Sequence, residues 1–569
     1  MEEKSFNLVT NPWLQVIDKD GQEATISLDQ LFANAGTYRQ LGGEMKSQDL
    51  AILRFLLSIL TTVYSRYDFA GQPYEWLETD EPTMQVRSID GSKNQIEDSL
   101  RQTWRQLYQS GHFTEKVSEY LHQNLAKFDL FDKKTPFYQV TRDQYDSFVP
   151  SNKSVAKGKG TVAVKQLNRT ISESNNKPDI FSPNTPLHKN DISLDALARW
   201  LITYQNFTAV TDKTKIVSKG KFSVSKGWLY GLNPVFLAGK NLFDILVLNL
   251  VLIPQNIKIT PELFDQKPVW ETPINEYVQW RKDEEFPENL AQLYTVWSRI
   301  IHIEWDGNKP IIFSAGLPKL DNEEAMLETM TTWKKGKKDE GYHPDLRWLS
   351  SLGKAMWRNF GQYVPIADPH ASRRIPGIVQ WTRLLRSRHL IPRDFPVHLM
   401  TTGLINDGNA TSQSPAAEFF DEMQINADVL FDDDQTTSRE WTIKIEKTVE
   451  LTEKVGSYIW SLAKNEGDLR KIADSGAFAN QISARFYDRL NRPFNEWLSG
   501  LTNEDKPTEK IDEWKSALRQ IAFSTAGELL NTATSSERRG KVDKDGNLKN
   551  IFINYRIFKG AVWKITGGK

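Results

Sequence analysis

The sequence predicts an α+β protein in which a large mixed α/β N-terminal region, residues 1–440, precedes a C-terminal helical bundle, residues 441–569. Three observations lead to this prediction. The chain has 569 residues, too many for one core, so about two to four domains are expected. Short strand-like segments alternate with helical patterns up to residue 440. The residues after 440 carry helical patterns only.

The N-terminal region opens with strand and helix signals. Residues 6–16 predict a short strand, a turn at Pro12 and a second strand, and Ser27 is a suitable N-cap for the helix that follows. Asp49–Tyr64 places apolar side chains at helical spacing, which predicts a helix with one buried face. These side chains are Leu50, Leu53, Leu56, Leu57, Leu60 and Val63.

The middle of the chain alternates basic and apolar segments. Ser151–Lys165 carries lysines among Ser, Gly and Ala without apolar periodicity, which predicts a mobile basic loop. A predicted helix is followed by a second basic stretch, residues 213–226. Short strands are expected at Ile300–Trp305 and Pro310–Phe313, and a basic turn is expected at Trp333–Lys338.

Two apolar stripes define the C-terminal bundle. Their side chains step by three or four residues, as on one face of a helix. The first stripe is Phe486, Leu490, Phe494 and Leu498, and the second is Ile511, Trp514, Leu518, Ile521, Thr525 and Leu529. A polar connector, Thr502–Pro507, separates them. We therefore predict packed helices after a domain boundary near residue 440.

The composition excludes several classes of protein. Lys and Arg total 72 against 73 Asp and Glu, so the formal net charge of −1 rules out a uniformly basic nucleic-acid coat. Cysteine is absent, which removes disulfides, thiol nucleophiles and cysteine-ligated metal sites. The acidic N-terminus has no apolar signal segment, and the longest apolar stretch, 241–254, is shorter than the roughly 20 residues of a membrane span. We expect a cytoplasmic protein without membrane contact.

No catalytic motif is complete. The glycine spacing around Gly239-Lys240 does not match a P-loop, the eight histidines lack metal-ligand spacing, and no G-x-S-x-G elbow occurs. Asp432–Asp434 resembles a divalent-ion site, but such a run is more often a solvated loop. A lone Gly158-x-Gly160 is a weak phosphate-cradle signal. The sequence therefore predicts a binding protein, not an enzyme, with no cofactor.

Clusters of Lys and Arg are the remaining functional signal. Besides the stretches at 151–165, 213–226 and 333–338, Ala371–Arg393 carries several arginines. Basic side chains in loops are suited to phosphate contacts that release counterions. Most such runs are ordinary solvated surface, and composition alone leaves both interpretations open.

Short motifs follow one another in an order that spans nearly the whole chain. They are Asn7–Trp13, Ser27-Leu28, Pro136–Val140, Ala196–Leu201, Trp333–Gly336, Ala355–Arg358, Arg485–Tyr487 and Pro493-Phe494. This order resembles the CasA family, the large subunit of the type I-E CRISPR Cascade surveillance complex. Each motif is weak alone, and their shared order carries the resemblance.

The resemblance implies a fold and a function. The fold is a mixed α/β N-terminal region with a C-terminal four-helix bundle. The function is non-catalytic: the subunit reads the protospacer-adjacent motif in the minor groove of target double-stranded DNA, helps to open the duplex, and helps to recruit a helicase-nuclease. The other partners are the remaining Cascade subunits and the CRISPR RNA. Such a protein need read only a short duplex signal, because guide pairing reads the rest.

The resemblance also implies where nucleic acid binds. Relatives have a glycine-rich loop after the helix that ends near Gln205, a minor-groove lysine near Trp333, and a strand-separating wedge after Thr402-Gly403-Leu404. The candidate DNA-binding residues are Lys213, Lys215, Lys219, Gly220 and Lys221, then Lys334 and Lys335, then Asn406, Asp407, Gly408, Asn409 and Gln413. The candidate contacts to the guide or to neighbouring subunits are Lys153, Lys157, Lys159 and Lys165. Many relatives carry a cysteine zinc knuckle, but Asp306–Ala315 has no cysteine, so no metal is expected.

Two other functions stay open. One is a nuclease or nucleotide-dependent enzyme with an unrecognised site, which metal-dependent cleavage by the purified chain would reveal. The other is an assembly scaffold whose basic loops face RNA and protein, without reading duplex DNA. Duplex binding separates the scaffold from the first hypothesis.

Overall fold

The computed structural model describes the chain in stretches separated by gaps. These stretches are residues 4–168, 188, 190–209, 213–255, 257–258, 260–336, 341–364, 372–405, 415, 417–431, 440–542 and 544–567. They form an α+β structure, which confirms the predicted fold class. The chain divides into two compact units, of which the first is Met1–Leu352, Ser372–Thr382 and Met400–Phe420 and the second is Gly353–Ala371, Arg383–Leu399 and Asp421–Lys569. The single boundary near residue 440 stays a prediction.

The helices of the first unit are mostly short. They are α1 (Leu28–Asn34), α2 (Lys46–Arg66), α3 (Lys93–Ser110), α4 (Lys116–Gln123), α5 (Arg142–Phe148), α6 (Val164–Leu167), α7 (Leu194–Asn206), α8 (Leu242–Asn249), α9 (Ile274–Lys282) and α10 (Leu290–Tyr294). Helix α11 (Gly377–Ser387) has residues in both units. Ser27 caps α1 as predicted, because its side chain accepts a hydrogen bond from the Gln30 amide.

The strands form several small sheets. They are β1 (Leu14–Asp18), β2 (Glu23–Ile26), β3 (Tyr38–Leu41), β4 (Leu77–Asp80), β5 (Gln85–Ile89), β6 (Phe236–Leu237), β7 (Arg299–Asp306), β8 (Lys309–Gly316), β9 (Trp333–Lys335), β10 (Tyr342–Pro344), β11 (Arg373–Arg374), β12 (Pro396–Ile405) and β13 (Ala417–Asn426). The sheet orders are β2-β1-β3, β4-β5, β7-β8, β10-β9-β11 and β13-β12-β6.

Helix α2 forms the centre of the first unit. The sequence predicts one buried face, but nearly every residue from Ser47 to Arg66 is buried, which corrects that expectation. The helix is enclosed on all sides, and from Leu50 onwards its only charged side chains are Arg54 and Arg66. Its two buried arginines are both paired, because an unpaired buried charge is costly. Arg54 donates two hydrogen bonds to Glu328, at 2.9 and 2.8 Å, and Arg66 does the same with Glu271, at 3.0 and 2.8 Å.

The hairpin of β7 and β8 contains both strands predicted between residues 300 and 313. Its register runs from Arg299 opposite Gly316 to Asp306 opposite Lys309. Gly307 closes the turn with φ of +58°, a backbone conformation that favours glycine. The edge of β8 that does not face β7 forms backbone hydrogen bonds with other segments of the chain, and these segments carry the candidate site.

The helices of the second unit include the predicted bundle. They are α12 (Ala427–Leu430), α13 (Trp441–Arg470), α14 (Ser475–Ser499), α15 (Pro507–Asn531), α16 (Ser535–Arg539) and α17 (Ile551–Thr566), with a small hairpin of β14 (Lys541–Val542) and β15 (Leu548–Lys549). Helices α13, α14, α15 and α17 pack together, which confirms the four-helix bundle.

The apolar stripes predicted in the bundle form its core. Phe486, Leu490, Phe494 and Leu498 are fully buried on α14, as are Trp514 and Leu518 on α15. The Trp514 ring meets the Phe494 ring edge-on, with 4.8 Å between ring centroids, and its indole N–H donates to the Thr452 hydroxyl at 2.9 Å. Ile511 and Ile521 are only half-buried. In the part of the chain that the structure describes, no helix is long and apolar enough to cross a membrane.

Candidate nucleic-acid interface

Strand β8 and the residues just after it hold both predicted basic stretches. Residues 151–165 are called segment A here, and residues 213–226 are called segment B. Segment A meets β8 at Ile312, and segment B meets the end of β8 at Gly316 and continues beside residues 317–319. Two stretches separated by almost fifty residues of sequence are thus attached to one strand.

Segment A is attached at its second half. The Thr161 amide donates to the Ile312 carbonyl at 2.8 Å, and the Thr161 hydroxyl accepts from the Ser314 amide at 2.7 Å. Gly160 lies at φ of +93°, and a Cβ there would approach the Ile312 carbonyl oxygen to 3.0 Å, so the close approach requires glycine.

Segment A, for which the sequence predicts a mobile basic loop, contains short regular turns. The segment contains two 3-10 turns, Ser151–Lys153 and Val155–Lys157, and runs into α6. The Val155 amide donates to the Asp146 carboxylate of α5 at 2.7 Å. Lys153, Lys157 and Lys159 are exposed, and Lys165 is half-buried on α6. The predicted lysines therefore stand on an anchored segment, because Val155, Val162 and Val164 are buried.

Segment B is attached by both of its arms. On the first arm the Gly316 amide donates to the Thr214 carbonyl at 2.9 Å, and the Ile216 amide donates to the Gly316 carbonyl at 3.2 Å. On the second arm the Ser225 amide donates to the Leu317 carbonyl at 2.9 Å, and the Lys319 amide donates to the Ser223 carbonyl at 2.7 Å. A short tip lies between the arms.

The predicted lysines of segment B point away from the core. Thr214 and Ile216 are buried, so the alternating Lys213 and Lys215 are exposed. Lys215 donates to the Phe222 carbonyl at 2.9 Å, which links the two arms. Lys219, Gly220 and Lys221 form the exposed tip, and no atom of the described residues lies within 4 Å of a Cβ built on Gly220, so these residues leave the tip uncovered.

Gly227 fixes the base of segment B, and sequence reasoning missed it. Its φ is +97°, and a Cβ would lie 2.2 Å from the Asn206 carbonyl oxygen at the end of α7. Beside it, the Ala209 amide donates to the Lys226 carbonyl at 3.1 Å. The available signal was a glycine directly after the basic run.

Lys334 and Lys335 lie on the central strand of the sheet β10-β9-β11. Lys334 forms an ion pair with Asp345 at 2.6 Å while remaining 49% exposed, and Lys335 is exposed. The register places His343 and Arg373 directly opposite Lys334 on the neighbouring strands, on the same face of the sheet. Arg373 extends the basic character of this face, and the arginine run in the sequence was its only signal.

The wedge candidates Asn406, Asp407, Gly408, Asn409 and Gln413 lie outside the described residues. The strands that flank them, β12 and β13, are neighbours in one sheet, and the Thr402 hydroxyl donates to the Phe419 carbonyl at 2.9 Å. The assignment of the wedge stays a prediction, as does the solvated-loop interpretation of Asp432–Asp434, which also lie outside.

Titratable side chains do not gather into a metal centre in the described residues. No group of three or more His, Asp or Glu side chains there is placed to hold a metal ion. Histidines occur in isolated contacts instead: His302 contacts the Val140 carbonyl at 3.0 Å and Glu304 at 3.1 Å. The lysines of segments A and B are the charged groups that the fold gathers beside β8.

Comparisons with known proteins identify the family and the fold of this chain. The family model of the CRISPR-associated protein Cse1 matches residues 7–525. Cse1 from Thermobifida fusca has 22% sequence identity and a TM-score of 0.74, over 99% of this chain and 98% of that chain. CasA (Cse1) from Thermus thermophilus has 16% identity and a TM-score of 0.66, over 99% of both chains. A chain of a CRISPR RNA-guided surveillance complex has 16% identity and a TM-score of 0.66, over 98% of this chain and 99% of that chain. No curated protein sequence matches significantly.

The fold and the family match define the class of this protein, which is that of the CRISPR-associated proteins. Within that class the chain belongs to the Cse1 family, and the resemblance to CasA seen in the sequence is confirmed.

Proposed function

We propose that this chain is the large, non-catalytic subunit of a cytoplasmic CRISPR RNA-guided surveillance complex. In this proposal it recognises the protospacer-adjacent motif in duplex DNA, promotes strand opening and helps to recruit the helicase-nuclease. Family membership and the likeness to a chain of a surveillance complex support the assembly with guide RNA and other subunits.

The observation that carries the proposal is the attachment of segments A and B to one strand. Segment B presents Lys219 and Lys221 at an open tip, and both arms are hydrogen-bonded to residues 316–319. A lysine on an anchored loop loses less conformational freedom on binding phosphate than one on a free chain. Following the resemblance to the CasA family, segment B is proposed to contact duplex DNA, and segment A is proposed to contact the guide or a neighbouring subunit.

Opening of the duplex needs only a modest local contribution. The free energies of the DNA duplex and of the guide heteroduplex that replaces it are nearly equal. Contacts that stabilise an unstacked base step therefore favour strand exchange. Asn406–Gln413 is proposed as the wedge, because Asn and Gln side chains read minor-groove edges without added charge. Lys334, Lys335 and Arg373 are proposed to contact the flanking duplex.

The test uses the assembled complex with guide RNA and measures duplex affinity at several salt concentrations. Replacing Lys219 and Lys221 with Ala should weaken binding to all sequences and reduce the slope of log K against log salt by about 0.9 for each lost contact. The matched control replaces Lys19 and Lys93, two exposed lysines of the same unit outside the candidate segments. Equal slopes for both double variants would favour the assembly scaffold.

The same assay tests the wedge with two substrates. Shortening Asn406–Asn409 should slow guide invasion of closed duplex and spare binding to a pre-opened bubble, because only the closed substrate requires unstacking. Equal loss on both substrates would assign these residues to simple binding. Incubation of the complex with ATP and nucleic acids plus magnesium or manganese should leave all of them intact.

A further inference from the structure

A cavity of about 410 Å³ lies in the first unit, and no lysine of segment B lines it. The Pro136–Val140 motif contributes four of its lining residues, and the proposed function gives this motif no role. Phe137, Tyr138, Trp270 and Trp297 supply aromatic surface to the lining. The volume falls in the range of small-molecule sites, roughly 300–1,000 Å³.

The aromatic lining is held in place by buried contacts. The Trp270 indole N–H donates to the Tyr120 hydroxyl at 2.9 Å, and that hydroxyl donates to Glu271 at 2.5 Å. Glu271 is itself paired with Arg66. Trp270 is nevertheless only half-buried, so part of its ring remains open on a fixed support. A fixed and partly open indole is a suitable stacking surface.

Tyr138, one of the residues that line the cavity, carries two signs of local strain. Its φ is +53°, in the left-handed region that residues other than glycine rarely adopt. Its hydroxyl is buried without a hydrogen-bond partner among the described residues. Strained backbone and unsatisfied polar groups concentrate at ligand sites.

Two lysines line the cavity, together with the Glu271 carboxylate that is paired with Arg66. Lys134 is exposed, and Lys127 is half-buried. Burial lowers the pKa of the Lys127 ammonium, since the charged form is poorly solvated there, and the nearby Glu271 carboxylate opposes this change. An anion bound beside Lys127 would stabilise the charged ammonium, which burial removes from water. The cavity thus combines aromatic surface with cations, and Thr135, Gln144 and Asn275 add hydrogen-bonding groups.

We propose that this cavity holds one unstacked nucleotide, with its base against Trp270 and its phosphate at Lys134 and Lys127. A free nucleotide and an unpaired nucleotide within a strand share this chemistry. The proposal deepens the proposed function and rests on it, because a protein that binds a guide and an opened duplex meets unpaired nucleotides. Gln144 lines the cavity two positions before Asp146, which anchors segment A, so the cavity lies close to the segment assigned to the guide.

The experiment uses the full chain and a short single strand with one 2-aminopurine, whose fluorescence falls when the base stacks. Wild-type protein should quench the probe, and adenosine monophosphate should compete. Lys134→Ala should weaken binding about tenfold, as expected for loss of one charge-assisted phosphate contact, and Lys134→Glu should abolish it. Lys133→Ala is the matched control, because Lys133 is adjacent in sequence and does not line the cavity.

Separate measurements distinguish a free nucleotide from an unpaired nucleotide within a strand. They also separate the cavity proposal from the proposed function. Competition by the free nucleotide without quenching of the strand would assign the cavity to a free nucleotide, and quenching of the strand would assign it to an unpaired one. Equal binding by the Lys134 and Lys133 variants, or no binding of either probe, would overturn the cavity proposal. Duplex affinity of the complex, measured in parallel, tests the proposed function alone, since the Lys134 variants should keep its salt dependence.

Discussion

Helix α2 of the first unit and the four-helix bundle of the second unit both bury large apolar surfaces. They differ in how their buried charged side chains are paired. Arg54 and Arg66 of α2 each meet a buried carboxylate from a segment more than 200 residues away. Glu466, in the bundle, is also buried, but one of its carboxylate oxygens has no hydrogen-bond partner among the residues that the structure describes. The two arginines of α2 are thus matched by distant carboxylates, whereas in the second unit Glu537 is paired with Arg470 and Glu466 forms no ion pair among the described residues.

The largest expected effect comes from breaking one buried pair of α2. Glu328→Ala leaves Arg54 without its carboxylate and removes the acceptor of the Trp228 indole N–H, at 2.6 Å. We expect it to lower the free energy of unfolding by about 5 kcal/mol. Urea denaturation followed by circular dichroism measures the loss, and hydrogen exchange locates it in the first unit.

A double variant separates the cost of an unpaired charge from the value of the pair. Arg54→Met with Glu328→Gln removes both charges and keeps an acceptor near Trp228, so it should be more stable than Glu328→Ala. Glu509→Ala breaks an exposed ion pair of the bundle with Lys506 and should leave the denaturation midpoint unchanged. A double variant no more stable than Glu328→Ala would contradict the charge argument.

The second effect tests the apolar core of the bundle. Trp514 is 1% exposed, so Trp514→Ala should cost about 3–4 kcal/mol through lost burial and the cavity that remains. Phe552→Ala, on the exposed face of α17, is the control and should change the midpoint little. Wild-type stability of the Trp514 variant together with failed complex assembly would show that this side chain belongs to an interface.

The smallest expected effect is a pH dependence of stability that comes from Glu466 in the bundle. Burial raises the pKa of Glu466 to about 7 from 4.5, because the charged form is desolvated, while the hydrogen bond from Asn554 and the charge of Arg470 oppose the rise. The folded state therefore holds a proton that the unfolded state releases, and stability falls as pH rises from about 4.5 to about 7.

Glu466→Gln removes this titration. The variant should match wild type near pH 4.5 and exceed it at pH 8 by on the order of 2 kcal/mol. Thermal unfolding at both pH values measures the difference, with Glu450→Gln on the exposed face of α13 as the control. An identical pH profile for wild type and Glu466→Gln would mean that Glu466 does not titrate in this range.

The sequence predicted the bundle better than the first unit, for a physical reason. Helical stripes such as Phe486–Leu498 are local, so their period alone predicts the buried face. The pairing of Arg66 with Glu271 joins residues 205 positions apart, and nothing local records it. For the same reason the periodicity of α2 predicted one buried face, whereas the fold buries nearly every residue of the helix.

The candidate site was predicted by residue type but not by arrangement. The lysines of segments A and B stood out as charge clusters, whereas their shared attachment to β8 depends on hydrogen bonds to Ile312 and Gly316 that no pattern encodes. Gly227 is required by contact with the end of α7, which sequence alone does not place nearby. The roles of individual lysines came from the resemblance to CasA and stay proposals.

The anchors of segment B limit how far its tip can reach. The Val217 amide donates to the Phe148 carbonyl, and the Ser223 carbonyl accepts from the Lys319 amide, so residues 218–222 span the distance between these two anchors. Within this span the Phe222 carbonyl accepts from Lys215. Such a short span, folded back on itself, extends about 10 Å at most from its base. A minor groove is about 7.5 Å deep, so the tip is long enough to touch its floor only when the duplex lies against the protein surface. Under the proposed function, loop length would therefore fix how close the duplex must lie to segment B for the backbone of the tip to enter the groove.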